Sequence, residues 1–417
     1  MFELCLFDLD DTLVKTSDLD EVRRAGKNDN SAEYLARLTA ALGKVSPRLI
    51  YSESLLDEIR AANPGMRLGV FTRSPRSYAS LVLRQAYPNT QWDVLVAYED
   101  VEWTKPRGHG VHAAMKQLKI GDPARVLLVG DNDADVCAAY HAGSPIVVDK
   151  SAWPGSNTRD HWAALGHVPD AFITRPRDLL DVLASPERHL PELERLLAGA
   201  PAGPTVRFDE IGHFKPWEFE EPRGPVRIAV GGRSFSNHAS VSRRRAGHAL
   251  SASIEDNKES SQFPEEWVDA VLAFFQKRYP MLLWAGKLVV TVIPHRPGRE
   301  PRLENFLGQL AEAVSRSRRF ARSVTVEPKL LAFKDGVRSQ HGDKLGQTER
   351  FRNVRDHLHV SRPDLIDNKA HYLVIDDVTT TGASLIYADE YLRAAGARNV
   401  ACLSIAKNVG ELFWSEK

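Results

Sequence analysis

Two stretches of the chain place carboxylates and hydroxyls at the ends of short apolar runs. In the first, Leu4-Cys5-Leu6-Phe7 runs straight into Asp8-Leu9-Asp10-Asp11-Thr12. Residues i and i+2 of an extended segment share a side, so Asp8 and Asp10 point together out of the strand end. Adjacent carboxylates repel unless a cation or a shared proton relieves them, and hard oxygen donors suit Mg²⁺. The pair thus reads as a metal-assisted nucleophile beside an acid/base, although an acidic N-cap opening a helix would use the same letters. Matching chemistry recurs at later runs. Phe71-Thr72-Arg73-Ser74 offers a hydroxyl and N–H groups to an anion, Lys105-Pro106 offers a cation, and Gly130-Asp131-Asn132-Asp133-Ala134-Asp135 brings further carboxylates.

The second stretch is Leu373-Val374-Ile375-Asp376-Asp377-Val378-Thr379-Thr380-Thr381-Gly382-Ala383-Ser384. A buried strand delivers two aspartates here, and a hydroxyl-rich, glycine-containing loop then opens a helix over Ala383 to Ala394. Successive N–H groups and hydroxyls at a helix N-terminus form a ready phosphate site. A Thr-rich strand-to-helix turn explains the hydroxyls but not the preceding Asp-Asp.

Both stretches need rigid elements behind them. Up to about residue 185, the runs Leu4–Phe7, Leu68–Phe71, Val94–Val96, Val126–Val129 and Pro145–Val148 alternate with helical patterns, which predicts an α/β fold with a parallel sheet and right-handed crossovers. Ligands of such sheets bind beyond the carboxyl edge of the strands. A helical segment at Pro191 to Leu197 precedes Gly199-Ala200-Pro201-Ala202-Gly203-Pro204, a composition that carries no regular hydrogen-bonded element. The chain therefore reads as residues 1–197 with a small helical insert at about 14–66, a linker over 198–224, and a second, mainly parallel α/β domain over 225–417. That second domain shows strand signals at Val226–Val230, Leu288–Ile293 and Tyr372–Ile375, and a helix at Glu265–Lys277.

Length and composition agree with two soluble domains. The chain has 417 residues, 43% hydrophobic and 26% charged, which is ordinary for globular proteins. Fifty-five Lys and Arg balance 55 Asp and Glu. That balance excludes the single-sign field of a non-specific nucleic-acid coat or a membrane-surface binder. No apolar run approaches the about 18 residues of a membrane helix, and Glu3 interrupts any leader-like start. Cys5, Cys137 and Cys402 lie far apart, with neither disulfide framework nor CxxC spacing, which points to a reducing cytoplasm.

Taken in order, the strand-end residues of the first half resemble the four motifs of the haloacid dehalogenase superfamily, over about residues 1 to 185. The resemblance implies that Asp8 is the nucleophile that forms an aspartyl-phosphate, and that Asp10 protonates the leaving oxygen and later activates water. Thr72 and Lys105 would stabilise the phosphoryl group. Mg²⁺ would be held by Asp8, Asp131 and the backbone carbonyl of Asp10, with Asp135 orienting Lys105 or a metal-bound water, or binding metal itself. Asp11 departs from the family's frequent Gly. The insert predicts helices around Ala32 to Ala41 and Leu55 to Ala62, a small cap that leaves the cleft open to a bulky phosphorylated substrate.

The second stretch resembles the phosphoribosyl pyrophosphate motif of type I phosphoribosyltransferases. By that resemblance Asp376 and Asp377 hold the ribose hydroxyls, while Thr379, Thr380, Thr381, Gly382 and Ser384 cradle the 5'-phosphate. Arg296, in the turn after the Leu288–Ile293 strand, is the candidate pyrophosphate ligand, or else a surface arginine. The segment Gln340 to Val354 is similar to the competence-associated branch of these enzymes, which implicates Lys344 or Arg350, although that branch's cysteine-rich zinc finger has no counterpart. Val226 to Ser261 would form the hood that reads the acceptor, with Arg243-Arg244-Arg245 meeting phosphate or nucleic acid, or simply solvated.

A fusion of the two resembles the biosynthetic modules of tellurite-resistance-type stress operons. It implies transfer of a phosphoribosyl group to an unnamed base or acceptor, followed by removal of the phosphate. Two other classes stay open: a phosphatase that processes nucleic-acid ends, and a phosphatase governed by a non-catalytic sensor of phosphoribosyl pyrophosphate. Monomer and homodimer are both compatible with the sequence.

Overall fold

The computed structural model describes residues 1–219, 224–281, 286–338 and 345–413. The chain divides into two compact units, one of Met1–His189, Phe235–Gly247 and Gly410–Lys417, the other of Leu190–Ser234 and His248–Val409.

The first unit is built on β1 (Leu4–Phe7), β2 (Arg67–Phe71), β3 (Val94–Val96), β4 (Val126–Gly130), β5 (Ile146–Asp149) and β6 (Ala171–Ile173). They lie side by side in the order β3-β2-β1-β4-β5-β6, every pair parallel. Helices cover the sheet, so β1 and β4 are buried along their whole length, and this is why their sequences are continuously apolar. The connecting helices are α1 (Asp20–Ala25), α2 (Ala32–Leu42), α3 (Glu53–Ala62), α4 (Arg76–Ala86), α5 (His109–Leu118), α6 (Asp133–Ala142), α7 (Arg159–Gly166) and α8 (Leu179–Ala184). Each of α2 and α3 starts at a serine, Ser31 and Ser52, whose hydroxyl accepts an N–H of the first turn. The insert is part of the main core: Tyr34, Leu38, Leu42, Leu55 and Ile59 share one apolar cluster with Phe7, Val70 and Val129.

The sheet order fixes where a site forms. Chain order reverses between the adjacent strands β1 and β4, and the loops leaving them diverge to leave a crevice at the carboxyl edge. Asp8 and Asp131 follow those two strands directly.

The second unit carries a seven-stranded sheet. Its strands are β7 (Asp209–His213), β8 (Val226–Val230), β9 (Arg233–Phe235), β10 (Leu288–Val292), β11 (Val324–Val326), β14 (His371–Thr379) and β15 (Asn399–Val409), while β12 (Leu331–Phe333) and β13 (Leu358–Val360) make a separate antiparallel pair. The order is β11-β10-β14-β15-β8-β7 with β9 beside β15, parallel from β11 to β8 and antiparallel at β7. Its helices include α9 (Glu192–Leu197), α11 (Ala249–Asp256), α12 (Glu265–Arg278), α13 (Arg302–Arg316), α14 (Gln347–His357) and α15 (Ala383–Ala394). Trp267, Phe275, Leu307 and Leu310 pack with Val290, Leu373 and Leu403 into its core.

Two sequence expectations differ here. The segment read as the linker 198–224 holds β7, whose Ile211 and His213 are buried while Glu210 and Gly212 are exposed, an edge-strand alternation too short to stand out among glycines and prolines. The expected hood over Val226–Ser261 is not one element. β8 is a central strand, Phe235–Gly247 groups with the first unit, and α10 (Ser242–Arg245) belongs to that unit. There Arg244 ion-pairs with Asp170, and Arg243 lies 3.0 Å from His112 and donates to the His141 carbonyl. The arginine triplet is therefore not a simple solvated loop.

Candidate active site

Beyond β1 and β4 the side chains of Asp8, Lys105, Asp131 and Asp135 come together, each less than a tenth exposed. Lys105 Nζ lies 2.6 Å from Asp8 Oδ1 and 2.6 Å from Asp135 Oδ1. Asp135 belongs to the first turn of α6, where it also accepts the Asn132 N–H at 3.2 Å. This fold-back requires a glycine at the end of β4: a Cβ on Gly130 would stand 2.2 Å from the Asp135 carboxyl carbon. Asn132 Nδ2 donates to Asp131 at 2.9 Å, and the Trp153 indole donates to the Asp131 carbonyl at 2.9 Å. Lys105 is thus held between Asp8 and Asp135.

The electrostatics follow from burial. Asp8 is pushed up to about 7, first by desolvation and then by Asp135 and Asp10, with Lys105 pulling the other way. Asp131 is held well above the usual carboxylate range by burial and by the charges of Asp135, Asp8 and Asp11. Burial works against the Lys105 ammonium, but Asp135 and Asp8 outweigh it and raise its pKa.

Oxygens of Asp8, Asp131 and Asp135 all lie within 4.8 Å of one another. Three carboxylates with a single buried ammonium among them, and no sulfur or nitrogen donor, form a set that a hard divalent cation such as Mg²⁺ suits.

Asp10 faces another set of partners. Its Oδ1 accepts from Thr16 Oγ1 at 2.8 Å and Tyr78 Oη at 2.9 Å, and its Oδ2 from Ser74 Oγ at 2.5 Å and Thr72 Oγ1 at 3.4 Å. Arg23 of α1 reaches the same Oδ2 at 3.4 Å. The insert therefore brings a cation to Asp10. Sequence reasoning missed Arg23 and Tyr78, because only the tertiary fold brings residues of an insert helix and of α4 to Asp10. Ser74, quoted in the Thr72 stretch, is an Asp10 ligand in its own right. Asp11 sits at φ 56°, the left-handed region that Asp tolerates better than most residues, and its carboxylate takes the Thr16 N–H and the Ser17 hydroxyl, each at 2.9 Å. That turn explains how Asp replaces the glycine frequent at this position.

In the second unit β14 carries Asp376, Asp377 and Thr379 within the strand, with Asp376 opposite Ser404 and Thr379 opposite Lys407 of β15, so the loop proper is only Thr380, Thr381 and Gly382. Gly382 adopts φ 76°, and a Cβ there would strike His213 of β7 at 2.7 Å. Lys407 Nζ donates to the Thr380 carbonyl at 2.9 Å, and burial pushes the Lys407 pKa down to about 8. Two buried polar atoms, Thr379 Oγ1 and His213 Nε2, have no hydrogen-bond partner among the described residues. His213 is pushed down to about 4 by burial and then by Lys407. Asp377 ion-pairs with Arg302 of α13, and the Arg296 carbonyl, in the turn before that helix, accepts the Arg299 N–H at 3.0 Å. Arg350 donates to the Leu345 carbonyl at 2.8 Å from α14. Lys344 lies outside the described residues. Arg302, Lys407 and His213 are therefore neighbours of the loop that motif reading did not single out.

Residues 27–148 match the haloacid dehalogenase-like hydrolase family. The first unit carries a haloacid dehalogenase-superfamily domain. Among curated relatives, the pyrophosphatase PpaX of Anoxybacillus flavithermus is 28% identical over 137 residues, 33% of this chain and 61% of that protein. PpaX of Bacillus velezensis is 29% identical over 127 residues, 30% of this chain and 55% of that protein. The chain thus spans somewhat over half the length of the relatives it matches. Among solved structures, a haloacid dehalogenase-superfamily hydrolase of subfamily IA from Geobacter sulfurreducens is 19% identical, with 44% of this chain and all of the other covered at a TM-score of 0.30. CbbY of Rhodobacter sphaeroides in complex with phosphate is 20% identical, with 43% and 96% covered at a TM-score of 0.30. The family match begins after Asp8 and Asp10 and does not include them.

Proposed function

We propose that the haloacid dehalogenase-like domain is a Mg²⁺-dependent phosphatase that works through an aspartyl-phosphate on Asp8. The observation that carries this reading is the buried cluster of Asp8, Lys105, Asp131 and Asp135 at the β1/β4 reversal. An Asp8 oxygen attacks phosphorus, the bond to the leaving oxygen breaks, and Asp10 supplies that oxygen's proton; Asp10 then takes a proton from the water that cleaves the acyl-phosphate. Lys105 stays beside Asp8 and neutralises charge on the transferring group, while Thr72 and Ser74 hold Asp10 in place. Asp8, Asp131 and the Asp10 backbone carbonyl would hold Mg²⁺, which when bound relieves the carboxylates and stabilises phosphoryl oxygens.

The second unit, in this reading, binds phosphoribosyl pyrophosphate: Thr379 to Ser384 take the 5'-phosphate and Asp376 and Asp377 the ribose hydroxyls. The short loop before α15, the unpartnered Thr379 hydroxyl and the nearby Lys407 support it. Transfer to a base or other acceptor would yield a 5'-phosphate and pyrophosphate. The phosphatase domain would then act on one of those products, a small phosphorylated compound; pyrophosphate merits inclusion because the matched relatives are named as pyrophosphatases.

The test is to incubate the full chain with Mg²⁺ and a panel of sugar phosphates, nucleoside monophosphates and pyrophosphate, then with phosphoribosyl pyrophosphate and a panel of bases. Asp8→Asn should abolish phosphate release, and in the coupled assay a phosphorylated intermediate should accumulate. Phosphate release that survives in Asp8→Asn would refute the aspartyl-phosphate mechanism. An intact phosphatase with no intermediate would leave only the coupling refuted.

A further inference from the structure

Away from the carboxylate–lysine cluster, α6 presents a second group of potential ligands. Asp133 and Cys137 are four residues apart and so share one face of the helix, and His167, which caps α7, meets them there. Cys137 Sγ lies 3.6 Å from His167 Nε2, His167 Nε2 lies 3.0 Å from Asp133 Oδ1, and Cys137 Sγ lies 3.9 Å from the same Asp133 oxygen.

The atoms involved decide between two readings. A thiol–imidazole–carboxylate relay needs the base to meet the thiol with one ring nitrogen and the carboxylate with the other. Here the single Nε2 faces both, so one proton cannot serve both contacts and a relay is not formed. Three different donor atoms that converge pairwise describe one face of a coordination polyhedron. With Zn–S of about 2.3 Å, Zn–N of about 2.0 Å and Zn–O of about 2.0 Å, tetrahedral angles place S and N about 3.5 Å apart, N and O about 3.3 Å, and S and O about 3.5 Å. The observed triangle departs from that by no more than a few tenths of an ångström.

The surroundings hold the ligands in place. Tyr140 Oη donates toward the His167 and Val168 carbonyls, at 3.0 and 2.7 Å, and Val168 is kept at φ 57°, a strained conformation for a β-branched residue. Cys137 is 3% exposed, whereas Asp133 and His167 are 36% and 28% exposed at the side chain, so an ion has an entry path and water can complete its shell.

We infer that Asp133, Cys137 and His167 form a binding site for a zinc-class divalent transition metal, separate in its donors from the all-oxygen Mg²⁺ set. A thiolate and an imidazole select such ions over Mg²⁺. Binding one ion converts the Cys137 thiol to a thiolate and releases its proton. Because Asp133 stands between Asp131 and Asp135 in sequence, occupancy would also fix the turn that carries both.

Cobalt(II) reports such a site optically. Tag-free full chain, stripped with chelator and kept in excess Mg²⁺, is titrated with Co²⁺. One equivalent should give a near-ultraviolet thiolate-to-cobalt band and the visible bands of tetrahedral cobalt, and Zn²⁺ should displace both. Cys137→Ser should remove the thiolate band, His167→Gln and Asp133→Asn should each weaken binding at least about 10-fold, and Asp8→Asn should leave the band intact. If Cys137→Ser does not fold, the affinity loss in His167→Gln carries the test. No charge-transfer band in the wild-type chain, or a band unchanged in Cys137→Ser or in His167→Gln, overturns the inference.

Discussion

Lys105 and Asp8 form an ion pair of 2.6 Å in which the lysine side chain is 2% exposed and the aspartate 9%. At that depth neither charge is solvated, so each depends on the other, and Asp135 shares the same ammonium. Lys105→Met leaves three buried carboxylates with no cation among them. Removing one partner of a buried pair costs about 3–5 kcal/mol, and losing a preorganised charge at the transferring group lowers kcat by about 10²-fold or more. Mg²⁺ should therefore raise the Tm of Lys105→Met by more than it raises that of the wild-type chain. An equal shift in both, measured by calorimetry, would mean that Lys105 does not neutralise the metal-binding carboxylates.

Arg23 contributes to the site from α1, and it pairs with Asp20 as well as Asp10. With its side chain 28% exposed, the Arg23–Asp10 pair adds little to stability. Its effect should fall on catalysis, because the cation touches Asp10, the acid/base of the proposed mechanism. Arg23→Ala should leave Tm within about 1 °C, given a loss near a few tenths of a kcal/mol, yet lower kcat, since the cation held 3.4 Å from Asp10 is gone. Arg23→Lys should restore part of the rate. A kcat unchanged in Arg23→Ala would assign Arg23 to structure alone.

Much of this arrangement was legible in the sequence where local pattern determines it. The five apolar runs of the first half correspond to β1 to β5, because strands buried on both faces leave no alternation to misread. The helix Ala383–Ala394 appears with those bounds, since Gly382 marks its start. What escaped is what depends on distant pairing. β15 has 11 residues, but its polar Ser404, Lys407 and Asn408 broke the apolar run. β7 is an edge strand held by antiparallel pairing to β8. Lys407, Arg302, Arg23 and Tyr78 carry no motif; they approach their sites from other elements, and no spacing rule reports that.

A buried network in the second unit gives a pH prediction with a definite sign. Glu194 of α9 pairs with Arg233 at 2.6 Å, where the arginine is 0% exposed, and with His248 at 3.2 Å. Burial alone would raise the Glu194 pKa, but Arg233 and His248 hold it well below the ordinary carboxylate range. A depressed acid stabilises the fold above its unfolded pKa of about 4.3 and loses that contribution as pH falls through the folded value. Wild-type stability should therefore decline below about pH 4.3 more steeply than that of Glu194→Gln, which should also be less stable at pH 7 because the buried Arg233 guanidinium loses the Glu194 charge. Urea unfolding at pH 3.5, 5 and 7 measures both, and parallel pH dependence in the two chains would remove Glu194 from the account.

Phosphate binding at the loop before α15 should carry the signature of Lys407. The ammonium donates to the Thr380 carbonyl, and its pKa is pushed down to about 8 by burial. An anion in the loop favours the protonated form, so binding takes up a proton once the free lysine has lost its own. The sign is then fixed: affinity for phosphoribosyl pyrophosphate is flat below about pH 8 and falls above it, approaching about tenfold per pH unit for one linked proton. Lys407→Met should bind more weakly at pH 7 and show no such fall between pH 7 and pH 9. Asp377→Asn should release Arg302 from its ion pair and weaken binding at both pH values alike. Calorimetric titration with phosphoribosyl pyrophosphate and Mg²⁺ separates these outcomes, and an affinity in the wild-type chain that stays constant from pH 7 to 9 would place the phosphate elsewhere.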